Sequence, residues 1–267
     1  MRKIAHLSDL HFGQTDPAVP PVLAATLEAE RPDVVVVSGD LTQRATDREF
    51  AEARAWLDTL PFPRIVVPGN HDVPLYNVLR RFRHPLKRYG KYFGIDSAPF
   101  HGDGEIAIVG INTARSFTFK DGRINPQQVE ATCRRLHSAG ENAVRIIVTH
   151  HPFEQAQKHG KDLVGRAAMA MTGFAGCHVD LILSGHLHAG VTHVSETRYD
   201  IDGYAALLVQ AGTATSLRRR GEPNSFNMIL IDWPAISVER WTWNAGTGAF
   251  AVSATDRFRK TAGAWRL

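Results

Sequence analysis

Imidazoles and carboxylates in this chain gather at the ends of short apolar runs. Asp9-Leu10-His11 follows residues 2–8, Ser38-Gly39-Asp40 follows Val34 to Val37, and Ile65-Val66-Val67-Pro68 leads into Gly69-Asn70-His71-Asp72. Further on, Thr149-His150-His151-Pro152 ends the run Arg145 to Val148, and Ser184-Gly185-His186-Leu187-His188 ends Leu181 to Leu183. One Asp after Gly is usually a turn residue, and one His is usually a satisfied polar neighbour. All of them at strand-like ends are hard to obtain from turn chemistry. The imidazoles of His11, His150, His186 and His188, the carboxylates of Asp9 and Asp40 and the amide of Asn70 form a ligand set without thiolates. That set exceeds what one tetrahedral ion needs, and two ions sharing a carboxylate would use it in full. Asp9-x-His11 and His186-x-His188 alternate, so in an extended chain both members of each pair would reach one rim and adjacent ions.

The elements that must carry these groups are read from periodicity. Residues 2–8 read as a buried strand, followed by a helix with Val19, Val22, Leu23, Thr26 and Leu27 at helical spacing. Val34 to Val37 is too short and too branched for a helix. Thr46 and Glu49 then form a capping box ahead of the stripe Phe50, Ala53, Trp56, Leu57 and Leu60. Strand alternating with helix argues for βαβ units and a parallel sheet, whose carboxyl ends are where ligands bind. Residues 75–94 read as a basic, aromatic-studded helical excursion, and Ile106 to Ile111 as another strand. Asn125 caps a helix with Pro126 at its first position and Val129, Cys133 and Leu136 facing inward. Residues 205–210, 226–232 and 235–243 read as strands joined by short turns, hence antiparallel. The tail from 244 carries turn signals and a basic stretch, and is expected as an extension packed on a single domain spanning 1–267.

Composition narrows the class. Hydrophobic residues make up 43% and charged residues 22% of 267 residues, the balance of a globular protein with a real core. The apolar runs are all shorter than the roughly 18 residues a membrane span needs, and the N-terminus offers no secretory h-region. Cys133 and Cys177 are too few and too isolated for a disulfide framework or a thiolate metal site, so a reducing, cytoplasmic setting is expected. A net charge of +4 and a pI near 9.2 suit an anionic substrate without indicating nucleic-acid binding.

Taken in order, Asp-x-His, Gly-Asp, Gly-Asn-His-Asp, His-x-Pro and Gly-His-x-His resemble the calcineurin-like metallophosphoesterase superfamily. In particular they resemble bacterial phosphohydrolases of the class III cyclic-nucleotide phosphodiesterase type. The motifs span residues 9–188, about two thirds of the chain, with Gly212-Thr213-Ala214 and Asn224-Ser225-Phe226-Asn227 similar to the family's closing strands. The resemblance implies an α/β fold of two mixed β-sheets packed as a sandwich flanked by helices. It implies two divalent transition-metal ions per chain, Mn, Fe or Zn. Asp9, His11 and His188 would hold the first, Asn70, His150 and His186 the second, and Asp40 would bridge them. His150 rather than His151 matches the His-x-Pro spacing. A hydroxide generated between the ions would attack phosphorus. His71, left free of metal, would protonate the leaving group or stabilise its charge, and Asp72 would orient His71 or serve as a simple turn carboxylate.

Substrate choice is less legible. Arg80, Arg81, Arg83, Lys87, Arg88 and Lys91, interleaved with Phe82, Tyr89 and Tyr92, read either as a lid for an anionic substrate or as a solvated helix face. Arg218-Arg219-Arg220 has the same two readings. The functions in play are a phosphodiesterase for a small diester, a phosphomonoesterase or nuclease with the same metal chemistry, and a non-catalytic scaffold. A nuclease would favour a longer basic groove, and a scaffold would have lost ligands.

Overall fold

The structure, a computed structural model, describes residues 1–75, 78–94, 96, 98–118, 120–140, 143–154, 164–218 and 221–267; Arg219 and Arg220 of the arginine run lie outside these. The first half alternates strand and helix: β1 (Arg2–Leu7), α1 (Val19–Glu30), β2 (Val34–Ser38), α2 (Asp47–Asp58) and β3 (Arg64–Val67). The three strands pair in parallel, β1 with β2 and β2 with β3. Val34 to Val37 shows no alternation because both faces of β2 are buried. Val35 and Val37 pack under the helices with Leu23, Leu27, Phe50 and Leu57. Val34 and Val36 face a second sheet, meeting Ile108, Ile146, Val148 and Leu183.

That second sheet has the order β4-β5-β6-β7-β9-β8. Its strands are β4 (Phe100–Gly102), β5 (Ile106–Gly110), β6 (Val144–Val148), β7 (Leu181–Ser184), β8 (Val191–Val194) and β9 (Leu207–Gln210). Two helices, α5 (Pro126–His137) and α6 (Ala167–Gly176), cover its outer face through Val129, Leu136, Met171 and Phe174. Helix, sheet, sheet, helix is the expected layering. Thr46 and Asn125 cap α2 and α5 as their sequences predict, each in a reciprocal capping box.

The helical excursion expected at 75–94 is, over its described residues, two short helices, α3 (Val78–Arg83) and α4 (Lys87–Phe93), separated where Pro85 stands. Other expectations are corrected. Helix α6 and strands β4 and β8 carry no clear periodicity and were not anticipated. The strand at 207–210 is not an antiparallel partner of the one that follows: it lies parallel to β7 in the second sheet. Residues 211–224 then cross to the first sheet, where β10 (Ser225–Asp232) pairs antiparallel with β1 and with β11 (Ala235–Asn244). The tail beyond 244 supplies β12 (Ala249–Thr261) and β13 (Ala264–Arg266), completing a sheet ordered β13-β12-β11-β10-β1-β2-β3. Cys133 and Cys177 are not isolated. Helices α5 and α6 pack together and bring their Cα atoms to 5.5 Å, where they are joined as a disulfide across 44 residues of sequence.

Candidate metal centre

β1, β2, β3, β6 and β7 all stop at one rim of the sandwich, and the chain does not leave it extended. Asp9, His11, Asp40, His186 and His188 have φ of 52°, 49°, 52°, 75° and 61°. This left-handed region costs a non-glycine residue roughly 1–2 kcal/mol. The alternation expected for Asp9-x-His11 and His186-x-His188 is therefore replaced by a kink at all four of these residues. The kinks are held by lacing between loops. Asp9 N donates to the Gly39 carbonyl at 3.1 Å, His11 N to Asp40 O at 2.9 Å, and Gly185 N to His150 O at 3.0 Å. A Cβ at Gly69 would collide with Asp40, and one at Gly185 with Ser8 and Asp9, so the loops meet without room for a side chain.

The side chains converge in two groups. In the first, Asp9 Oδ1 lies 3.3 Å from His188 Nε2 and 3.5 Å from His11 Nε2. In the second, His150 Nε2 lies 3.0 Å from Asn70 Oδ1 and 3.2 Å from His186 Nδ1. Asp40 Oδ2 stands between the groups, 3.7 Å from His11 Nε2 and 3.4 Å from His150 Nε2. Ligands about 2.1 Å from an ion lie about 3.0 Å apart along an octahedral edge and about 3.4 Å apart along a tetrahedral one. The separations fit such shells.

Hydrogen bonding leaves the same atoms available. Ser8 Oγ and His186 N donate to Asp9 Oδ2 at 2.6 and 2.9 Å, while among the described residues the buried Asp9 Oδ1 has no hydrogen-bond partner. Both ring nitrogens of buried His11 are also without one. His188 Nδ1 donates to the Arg218 carbonyl at 3.0 Å and His150 Nδ1 to the Ser38 carbonyl at 2.8 Å, which turns each Nε2 toward the carboxylates. Unsatisfied buried acceptors beside lone-pair nitrogens are what a cation would complete.

Electrostatics agree. Burial alone would push the Asp9 and Asp40 carboxyls up, but His188 beside Asp9 and His150 beside Asp40 hold both below the ordinary range. Burial pushes His150 down, and Asp40 outweighs it, raising the imidazole to about 9.

Residues 2–190, well over half of the chain, match the calcineurin-like phosphoesterase family. The chain belongs to that family. A Synechococcus protein named a probable cyclic nucleotide phosphodiesterase is 28% identical over 202 residues, covering 69% of this chain and 72% of the relative. A glycerophosphodiester phosphodiesterase of Enterobacter lignolyticus is 36% identical over 80 residues, 26% of this chain and 29% of that one. A dimetal phosphatase from Danio rerio superposes with a TM-score of 0.66 at 13% identity over 90% of this chain and 95% of that one, a likeness of fold.

In this calcineurin-like phosphoesterase, His151 stands apart from the convergent set although it lies beside His150 and His186. Its Nδ1 pairs with Thr113 Oγ1 and its Nε2 with the Lys120 carbonyl, both at 2.8 Å, so its nitrogens are engaged. Burial, with His150 and His186 adding to it, keeps the ring neutral. His71 lies over the rim, its ring centroid 4.9 Å from that of His11. Burial lowers its pKa against the pull of Asp40. Asp72 makes no hydrogen bond to the His71 ring. Its carboxylate accepts from Leu41 N, Thr42 N, Thr42 Oγ1 and Gly69 N, tying the loops after β2 and β3 together. Burial and then Asp40 push Asp72 up to about 6.

The groups within hydrogen-bonding distance of the His71 ring nitrogens are the Gln43 carbonyl and Arg218 Nη1. Gln43 carried no signal in the sequence, since its backbone carbonyl makes the contact. The basic segment is neither a free lid nor a solvated face at Arg81, which is 2% exposed and donates to the carbonyls of Pro74, Arg115, Ser116 and Thr118. Arg88 and Lys91 pair with Asp47.

Proposed function

We propose that this chain is a dinuclear metal-dependent phosphodiesterase for a small diester, of the size of a cyclic nucleotide. The observation that carries the reading is Asp40 Oδ2, set between two groups of ligand atoms at shell-edge distances. Asp9, His11 and His188 would hold one ion, Asn70, His150 and His186 the other, and Asp40 both; manganese, iron and zinc all suit such donors. Bound there, the ions supply activation of water and neutralisation of phosphoryl charge. The chain's own part is positional. Ser8 and the His186 amide fix Asp9, the Ser38 and Arg218 carbonyls fix the imidazoles, and Asp72 binds the His71 loop to the loop after β2. Of the two roles open to His71, charge stabilisation would be exercised together with the Arg218 guanidinium, because Nδ1–H faces Gln43 O at 2.9 Å and Nε2 faces Arg218 Nη1 at 3.0 Å. The preference for diesters draws on the names of the two relatives.

Purified protein loaded with Mn²⁺ should contain two ions per chain by elemental analysis. It should hydrolyse bis(p-nitrophenyl) phosphate and cyclic nucleotides faster than p-nitrophenyl phosphate. One ion per chain at saturation would refute the dinuclear site. Monoesterase activity alone, across Mn²⁺, Fe²⁺ and Zn²⁺, would refute the substrate class.

A further inference from the structure

The segment crossing from β9 to β10 runs along the rim, and its described residues are tied down at several points. Thr213 Oγ1 donates to Asp9 O at 2.8 Å and Thr215 Oγ1 to Leu10 O at 2.7 Å. Leu217 N donates to Gln14 O at 2.9 Å, and Asn224 Nδ2 to Ser216 O at 2.8 Å. Arg218 N donates to Ser216 Oγ at 3.0 Å, so Arg218 starts from a fixed platform. Its carbonyl receives His188 Nδ1–H. Its guanidinium Nη1 is 3.0 Å from His71 Nε2 and 3.5 Å from Gln43 Oε1.

The direction of the His71 contact follows from its other side. A carbonyl oxygen only accepts, so His71 Nδ1 carries the proton toward Gln43 O, and Nε2 is a lone pair that accepts from Arg218. His71 and Gln43 thus occupy Nη1 alone. Among the described residues Nε and Nη2 have no hydrogen-bond partner, and these two nitrogens form the side-on fork of a guanidinium. That fork matches two oxygens of one phosphoryl group.

We propose that Arg218 is a phosphate clamp, its Nε/Nη2 edge gripping the non-bridging oxygens of the substrate while His71 and Gln43 hold the other edge. It transfers no proton, and its charge serves binding and the build-up of negative charge at phosphorus. The inference rests on the phosphoesterase reading.

The test uses the metal-loaded protein with inorganic phosphate as the probe. Arg218→Ala should retain two ions per chain and its melting temperature, because His188 is held by the backbone carbonyl. Calorimetry should show phosphate affinity falling about 10–100-fold, with a similar fall in kcat/KM for bis(p-nitrophenyl) phosphate. Arg218→Lys should recover only part of the affinity, since an ammonium has no fork, and free guanidinium should improve Arg218→Ala. Phosphate affinity within about twofold of the parent, full recovery by lysine, or a lost ion in Arg218→Ala would each overturn the clamp. Failure of the phosphodiesterase reading registers separately, as no diester turnover by the parent protein that still binds phosphate.

Discussion

Two buried aspartates stand at opposite ends of the same sandwich. Asp180, just before β7, has both oxygens matched: Arg145 N donates to Oδ2 at 3.0 Å, and Lys260 Nζ and Trp265 Nε1 donate to Oδ1. Asp9, just after β1, has Oδ2 matched, while Oδ1 has no hydrogen-bond partner among the described residues. Both are at least 97% buried, so the difference lies in the company and not in exposure. An unmatched buried group costs about 1–3 kcal/mol, and more when charged. One end of the fold is closed by its own chain, and the other keeps a buried carboxylate oxygen without a hydrogen bond among the described residues, the arrangement a bound cation would require.

The largest effect should come from removing Asp40, the carboxylate proposed to be shared by two ions. Asp40→Ala should lower activity on the order of 10³-fold and reduce the metal content at both sites. Asp40 also accepts from His71 N at 2.8 Å and raises His150, so the metal-free variant should melt lower than the metal-free parent at pH 6.5 and by less at pH 9. A drop as large at pH 9 would mean that the rim is structural, like the opposite end.

Asp180→Ala should behave in the reverse way. It strands Lys260 and the Trp265 indole, and a loss of about 3 kcal/mol is expected, lowering the melting temperature by about 6–10 °C. Metal content and kcat should stay near those of the parent. If this variant lost ions instead, the two ends could not be treated as independent.

The smallest effect is the most specific to the rim. His150, raised to about 9, is protonated at neutral pH, and its Nε2 must lose that proton to accept an ion. Metal affinity at the second site should therefore climb up to about tenfold per pH unit toward pH 9 and then level off. Calorimetry at pH 7 in buffers of different ionisation enthalpy should register about one released proton. The raised imidazole also stabilises the metal-free fold below its unfolded pKa of about 6.5, and that contribution is lost as pH rises through 9. Metal-free protein should accordingly melt lower at pH 9 than at pH 6.5, and metal-loaded protein should not follow. Parallel melting profiles for the two forms would contradict the assignment of His150.

What the chain shows in one dimension is the chemistry at the end of each strand. Asp9, His11, Asp40, Asn70, His150, His186 and His188 could be picked out because a short apolar run followed by a turn and a ligand-type residue is a local pattern. The same locality made the capping box at Thr46 and the cap at Asn125 legible, and the resemblance to the family's His-x-Pro motif pointed to His150 rather than His151. Tertiary structure decided everything that joins distant segments. Four-residue strands such as β9 carry no mark of which sheet accepts them, so the crossing that delivers Arg218 to His71 stayed hidden. The Cys133–Cys177 bond and the place of β12 and β13 were hidden for the same reason. Backbone geometry was equally invisible: the left-handed turns at the ligands are imposed by loops hydrogen-bonded to one another, as Asp9 is to Gly39 and Gly185 to His150. Residue type and spacing determine which atoms can bind. The aim of those atoms is set by contacts between loops far apart in the sequence, and those form only when the two sheets close.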